Sequence, residues 1–333
     1  MAVPYTIGQV NDATNLAIQR LWPKMTDLEV ENYRLIFNVE STQDYIDRDS
    51  SISGFSQAAR LTDGAIITAE SPVQNFDQTY TQVAHANMAV FTFYNWKYGI
   101  QRRDLEGVVK DLKGSVLRKR EYLTTAYLEN SIGATTSMTV TDRSGDYSKA
   151  VTGGDALAII NSAHTREDGG ATWSNVISDG TTSNMDFAPD ALRAAFRTSS
   201  VIRDPKGNLM SINPNKVVCR RGSKAFFDAM EYNGALKKDY KPNSADRDGA
   251  PFGAYDIIAL PYLTVTNEAY WWMFDESMRN AKFGLQYRGS LEPTFDGTEV
   301  EFKTKSIYAS AMTAFDYGHN DGRGWDGSTG ANA

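Results

Sequence analysis

The stretch RDLEGVVKDLKGSVLRKREYLTTAYLEN, residues 103–130, has the clearest periodic pattern in the chain. Its apolar residues recur at helical intervals and form one stripe, made of Leu105, Val109, Leu112, Val116, Leu123 and Tyr127. Gly133 follows as a C-terminal cap. The pattern predicts a helix of more than twice the mean length, which is about 11–12 residues. The charged run at 118–120 disfavours a coiled coil, so we predict a spine helix that packs on a sheet through Leu105, Val109, Leu112 and Val116.

Two segments before this helix predict extended structure. Residues 80–98 carry apolar side chains on both faces, which is typical of a strand covered on both sides. Residues 50–79 are rich in small polar side chains, and Asp63-Gly64 separates two strand-like stretches at 53–59 and 65–69. Asp-Gly is a hairpin signal because the turn needs positive φ. A hairpin with so few apolar residues is unstable alone, so we predict that it lies against a second surface.

The remaining segments predict a helical arm, a mixed lobe and closing strands. The arm has a helix over about 10–22, and the lobe covers about 135–283. In the lobe we predict helices at 155–163, 189–197 and 223–230 and strands at 216–219, 257–260 and 270–274. Two closing strands, 282–291 and 299–309, are predicted to meet at an Asp296-Gly297 turn. Residues from 317 onward contain five glycines and are predicted to form a loose surface segment.

The composition excludes several classes of protein. With 333 residues, the chain can bury a large core without disulfides or metals, and its only cysteine, Cys219, rules out an intramolecular disulfide. No secretory signal and no membrane-spanning apolar stretch is present, and assembly in a reducing cytoplasm is expected. The formal net charge of -7 disfavours a protein that grips nucleic acid, because phosphate binding needs clustered Lys and Arg.

No pattern in the sequence predicts a catalytic, cofactor or metal site. The three histidines, His85, His164 and His319, have no partner at metal-ligand spacing. Residues 244–249 resemble the start of a calcium loop, but Tyr255 stands where a bidentate Glu is needed. Phosphate-binding and dinucleotide-binding glycine motifs are also missing. Cys219 in a strand is interpreted as a small buried hydrophobe, and the aromatic cluster at 91–96 as packing.

The order of these elements resembles the Hong Kong 97-type major capsid fold of tailed bacteriophages, an α+β fold. Short stretches carry the resemblance: residues 76–83, 104–107, 260–264 and 270–275, and Trp325 with 327–330. The resemblance implies a division into an N-arm (1–49), an extended loop (50–80), a peripheral domain (81–134 and 284–316), an axial domain (135–283) and a C-terminal tail (317–333). It implies inter-subunit contacts at Phe55, Arg60, Asp63, Gly64, Phe76 and Tyr80.

The same resemblance implies a structural role without catalysis. The subunit would self-assemble as hexamers and pentamers into an icosahedral head in the host bacterial cytoplasm, and would enclose double-stranded DNA without reading its sequence. Expected partners are further copies of the chain, a portal and possible decoration proteins. Because Met1 stands close to the arm, either scaffolding is expected from a separate protein or the chain is a processed or short form. Residues 50–80 contain no lysine, so the Lys–Asn cross-link of some relatives is not expected.

Two alternatives remain open at this stage. An encapsulin-like compartment shell shares the fold and would package a cargo enzyme instead of DNA. An α/β hydrolase acting on a polymer would need a catalytic triad, which the sequence does not show.

Overall fold

The computed structural model describes residues 7–24, 31–52, 74–92, 102–235, 255–280, 283–301 and 306–330, and within the loop after 52 positions 55, 58, 60, 66 and 69–72. The helices are α1 (Ile7–Leu21), α2 (Tyr33–Ile36), α3 (Arg102–Asn130), α4 (Pro189–Ser199), α5 (Lys224–Ala235) and α6 (Glu276–Asn280), with short 3-10 turns at Trp22–Lys24 and Val265–Asn267. The strands are β1 (Asn38–Glu40), β2 (Ile46–Ile52), β3 (Gln74–Thr81), β4 (Val83–Thr92), β5 (Ser137–Asp142), β6 (Gly145–Ala150), β7 (Lys216–Arg220), β8 (Asp256–Leu260), β9 (Trp271–Phe274), β10 (Leu285–Gly289), β11 (Thr294–Glu301), β12 (Ser306–His319) and β13 (Trp325–Ser328).

A five-stranded sheet is built around the long strand β12. Strand β4 pairs antiparallel with one edge of β12, and β10 and β11 follow one another along the opposite edge. Strand β1 adds to β10 in parallel. The spine helix α3 covers the face that carries the odd-numbered residues of β12, because Val109 packs with Ile307 and Ala309, and Leu112 and Val116 pack with Ala311.

The predicted spine helix agrees with α3 to within one residue at its start. Val109, Leu112 and Val116 are buried, and Leu105 lies in the first turn, although its side chain is outside the described residues. After the helix, Gly133 has a φ of +72°, which suits a glycine beyond a C-terminus. Three charged residues of this helix, Lys113, Arg120 and Glu121, are also buried.

A second sheet forms the other lobe, in the order β13-β9-β7-β8. Strand β9, whose sequence is Trp-Trp-Met-Phe, is buried at every position because helices and loops cover both faces. Helices α4 and α5 pack on one of these faces through small residues such as Ala191, Ala195 and Ala229. The predicted strands at 216–219, 257–260 and 270–274 and the predicted helices at 189–197 and 223–230 agree with these elements.

The predicted helix at 155–163 is wrong, because this segment is an irregular loop of which residues 158–160 are buried. Ala156 has a φ of 63°, a left-handed conformation that ends any α-helix. The side chain of Asp155 accepts a hydrogen bond from the backbone N–H of Leu157, which favours a turn over a helix. Ile159 and Ile160 are consecutive core residues of the loop.

The predicted turn at Asp296-Gly297 is also wrong. Both residues lie inside β11, and the pairing with β12 shifts by one residue between Phe295 and Gly297. Gly297 has a φ of +111°, so the Asp-Gly pair forms a β-bulge that uses the same conformational freedom as a turn.

The predicted loose segment from 317 onward is wrong as well. Strand β12 continues to His319, and β13 pairs antiparallel with β9. Trp325 is buried and stacks on Phe274 with ring centroids 4.6 Å apart. The C-terminal stretch up to residue 330 therefore belongs to the core.

Candidate functional site: the base of the β2–β3 ribbon

Strands β2 and β3 form a two-stranded antiparallel ribbon that leaves the large sheet. Their register runs from Ile46 opposite Thr81 to Ile52 opposite Gln74. The predicted hairpin strands at 53–59 and 65–69 lie mostly outside the described residues, and the described ribbon starts closer to the body of the subunit. The predicted strand over 80–98 is divided at Gln82 into the end of β3 and all of β4, and positions 93–98 are outside the described residues.

Arg288 on β10 holds the base of this ribbon. Its guanidinium is buried and forms an ion pair with Glu40 on β1. On β2, Asp49 Oδ2 lies 3.4 Å from Nη2 and Asp47 Oδ2 lies 3.7 Å from Nε. The guanidinium carbon lies 5.7 Å from the ring centroid of Tyr80 on β3, within the range of a cation–π contact. One side chain therefore contacts both strands of the ribbon and the edge of the large sheet.

Asp316 on β12 holds the ribbon from a second strand of the sheet. Its Oδ2 accepts a hydrogen bond of 2.8 Å from the backbone N–H of Thr81, the last residue of β3. Its Oδ1 lies 2.5 Å from the Nζ of Lys149 on β6. A buried carboxylate is stable in this position because it has both a cation and a backbone donor as partners.

Two amides complete the attachment. The side chain of Gln82, at the break between β3 and β4, donates hydrogen bonds to the carbonyl oxygens of Thr42 and Asp44. The side chain of Asn320 donates a hydrogen bond of 2.8 Å to the carbonyl oxygen of Phe76. The part of the ribbon nearest the large sheet is thus fixed by charged and polar contacts to its own subunit.

A similar network attaches the segment that precedes the ribbon to the spine helix. Arg120 is fully buried, and its Nη1 donates to Glu31, to the Tyr33 hydroxyl and to a backbone carbonyl. The neighbouring Glu121 accepts a hydrogen bond from the backbone N–H of Tyr33. Burial raises the pKa of Glu121 to about 7, although this hydrogen bond opposes the rise. These contacts fix the chain where it enters β1.

The six predicted contact residues fall into three groups. Phe55 is 63% exposed and Arg60 is exposed, so both are available at the surface of this chain. Phe76 is half-buried, and Tyr80 is buried under Arg288, so Tyr80 stabilises its own subunit. Asp63 and Gly64 lie outside the described residues. Phe76 and Tyr80 lie on the same face of β3, since they are four residues apart in one strand.

His164 and Cys219 are packed in the core, and residues 244–249 lie outside the described residues. His164 Nδ1 lies 2.6 Å from Asp155 Oδ2, but its ring stacks on Trp173 and its Nε2 is buried beside Gly322. Burial raises the pKa of the Cys219 thiol to about 12, which keeps it protonated and unreactive. Within the described ranges, no three His, Cys, Asp or Glu side chains are placed to hold a metal ion. No helix in the described part of the chain is long and apolar enough to cross a membrane.

The sequence analysis missed Arg288, Asp316 and Arg120. A signal was present for Arg288, which is the single charged residue of an apolar strand, whereas Arg120 lies within the charged run at 118–120. A cation in such a position is buried only when carboxylates or carbonyls surround it. The partners come from distant parts of the chain, so the sequence could not show which acids they are.

Comparison with known proteins supports the fold. No protein-family model and no curated protein sequence matches the chain. Among solved structures, it is similar to a chain from the capsid of the native GTA particle, with a TM-score of 0.53, 11% identity and coverage of 91% of each chain. It is also similar to a chain from Microbacterium phage Oxtober96, with a TM-score of 0.50, 13% identity and coverage of 89% of each chain. The chain therefore has the α+β capsid fold that the sequence predicted.

Proposed function

We propose that this chain is the major capsid protein of a tailed bacteriophage, a structural subunit that forms an icosahedral shell around double-stranded DNA. One observation carries the proposal beyond the fold. The ribbon is held at its base by buried ion pairs, yet Phe55 and Ile66 in the loop beyond it are 63% and 94% exposed. Exposed apolar side chains in this loop are what the proposal expects, because a neighbouring subunit would cover them.

The division inferred from the sequence gives each part a role in this proposal. The arm (1–49) and the extended loop (50–80) contact neighbouring subunits, including through Phe55, Arg60 and Phe76. The peripheral domain (81–134 and 284–316) and the axial domain (135–283) form hexamers and pentamers. Many copies of a weak contact together give a stable shell, because closed symmetric assembly multiplies each contact.

The proposed partners are further copies of the chain, a separate scaffolding protein, a portal and possible decoration proteins. The proposed location is the virion, after assembly in the bacterial cytoplasm. We propose no catalytic activity and no sequence-specific DNA binding, and the net charge of -7 supports a subunit that encloses DNA without gripping it. An encapsulin-like shell is the second candidate that this fold allows, and it is less favoured because the chain is similar to structures from a GTA capsid and a phage.

The test is negative-stain electron microscopy of the purified chain, expressed alone and together with the genes adjacent to its own. The proposal predicts closed shells or ring-shaped capsomers in at least one preparation. Only compact single subunits in both preparations would contradict it. Shells that contain a co-purified enzyme in place of DNA would favour the compartment alternative.

A further inference from the structure

Arg288 lies at the point where the large sheet and the ribbon meet. In the sheet register it stands between Glu40 on β1 and Asp316 on β12. Directly paired residues on neighbouring strands point to the same face of a sheet. Two acidic side chains with an arginine between them therefore form a row across three strands. The end of the ribbon nearest the sheet contacts this row through Asp47, Asp49 and Thr81.

We propose that Arg288 is a positioning residue that sets the direction in which the ribbon leaves the sheet. The inference rests on the proposed function, because direction matters only if the ribbon and its loop reach another subunit. Arg288 contacts β1 through Glu40, β2 through Asp47 and Asp49, and β3 through Tyr80. Rotation of the ribbon against the sheet would separate the guanidinium from at least one of these groups.

The chemistry of this contact requires arginine. A guanidinium presents five N–H donors in a rigid plane, so that separate edges can meet separate carboxylates. A lysine ammonium has the same charge but is compact, and it cannot bridge groups on three strands in one fixed geometry. Arg288→Lys therefore keeps one positive charge beside the three acids while it removes the constraint on direction.

A small change of direction at the base has a large effect at the far end. The ribbon is seven or eight residues long. At about 3.3 Å per residue its length is about 25 Å, so a rotation of about 10° moves its far end by about 4 Å, close to the spacing of adjacent strands. Such a shift changes which groups of a neighbouring subunit the loop meets. The direction of the ribbon would then determine the curvature of the shell.

The experiment measures the direction with two spin labels. Cysteines replace Ser71, in the loop beyond the ribbon, and the exposed Asp111 on α3, while the buried Cys219 becomes serine. Labelled chains are diluted into unlabelled chains, and the distance distribution is measured by pulsed electron resonance. For Arg288→Lys, we expect the distribution to shift or to become about twice as broad, since lysine cannot bridge the three acids.

Arg323→Lys is the matched control. Arg323 is equally buried and also pairs with two acids, Glu167 and Asp321, but it lies in the other lobe. This variant should give the same distance distribution as the labelled chain in which both arginines are intact. Equal broadening in both variants would mean general loosening of the subunit and would overturn the proposal. An unchanged distribution in Arg288→Lys would also overturn it.

The diameter of assembled particles provides the second measurement. The proposal predicts that Arg288→Lys subunits, with near-normal circular dichroism, form particles of mixed diameter or open sheets, whereas Arg323→Lys subunits form particles of the wild-type diameter. If Arg288→Lys subunits formed particles of the wild-type diameter, the positioning role would be refuted and the shell function would stand. Failure of the wild-type chain itself to form particles would contradict the proposed function, and the spin-label distances would still test the role of Arg288.

Discussion

The hydroxyl of Tyr127 lies 2.7 Å from Nδ1 of His319, and this contact joins the spine helix to the last residue of β12. Burial lowers the pKa of His319 to about 4, so the ring is neutral at physiological pH. Its Nε2 lies 3.2 Å from the carbonyl oxygen of Leu157 and must carry the proton to donate to it. Nδ1 then accepts a hydrogen bond from the tyrosine. The two lobes are thus connected through the C-terminal stretch.

The first prediction concerns this stretch. Trp325→Ala removes a buried ring that stacks on Phe274, and we expect the free energy of unfolding to fall by about 3–5 kcal/mol. Denaturant titration followed by circular dichroism measures the loss. Tyr45→Ala is the control, because Tyr45 is 69% exposed and its removal should change stability by less than about 0.5 kcal/mol. Equal stability of both variants would mean that β13 is not part of the core.

The second prediction concerns Asp326, whose pKa burial raises to about 7 against a hydrogen bond from Ser199. The folded state therefore binds a proton more tightly than the unfolded state, in which the pKa is near 3.8. The stability that the protonated group contributes is present below the unfolded pKa and is lost as pH rises through about 7. Asp326→Asn removes this dependence.

Relative to wild type, Asp326→Asn should gain stability as pH rises from about 4 to about 7, up to the order of 4 kcal/mol, and the gain should level off above that range. Denaturation midpoints across this range measure the gain. The control is Asp179→Asn, because hydrogen bonds from the backbone of Thr182 and Thr181 lower the pKa of the exposed Asp179. It should show no gain as pH rises, and a similar gain in both variants would refute the assignment to Asp326.

The third prediction concerns the spine helix. Leu112→Asp places a carboxylate among the apolar side chains of Val116, Ala311 and Ala89. A buried unpaired charge destabilises by several kcal/mol, which is a large share of the roughly 5–15 kcal/mol that stabilises a domain. We expect little folded protein after expression, or a much lower melting temperature. Val108→Asp on the exposed side of the same helix should have near-normal yield and melting temperature, and equal behaviour of the two variants would contradict the packing of α3.

The fourth prediction separates folding from assembly. Replacement of residues 56–73 by a short Gly-Ser linker leaves β2, β3 and the contacts of Arg288 and Asp316 in place. The replaced residues contain few core-forming side chains, so circular dichroism and melting should stay near normal. Particle formation should fail or stop at capsomers, as electron microscopy would show. Intact shells from this variant would exclude the loop from assembly, and an unfolded product would place it in the subunit core.

Local patterns predicted the elements whose stability is local. The stripe of α3 and the apolar runs of β7, β8 and β9 were visible because helical and extended periodicity repeat within each segment. The helix predicted at 155–163 was wrong because Ile159 and Ile160 are buried within a loop, where apolar residues follow no regular spacing. The turn predicted at Asp296-Gly297 was wrong because a β-bulge and a turn both use a glycine with positive φ, and the sequence does not distinguish them.

The base of the ribbon could not be predicted in the same way. The extended character of the segment was visible, but Arg288 meets Asp47 and Asp49 across more than two hundred positions of chain. The burial of residues 317–330 likewise depends on pairing with β9, and Trp325 is the only large apolar residue in β13 that signals it. Long-range pairing of this kind appears only when the sheets are assembled.

The mass of the native particle tests the central claim most directly. Sedimentation velocity of the purified wild-type chain at high concentration, with and without the candidate scaffolding protein, separates single subunits from shells. The account predicts a fast species whose mass is a large multiple of the 36.9 kDa chain and whose images show a closed shell. A single slow species of 36.9 kDa under every condition would contradict it.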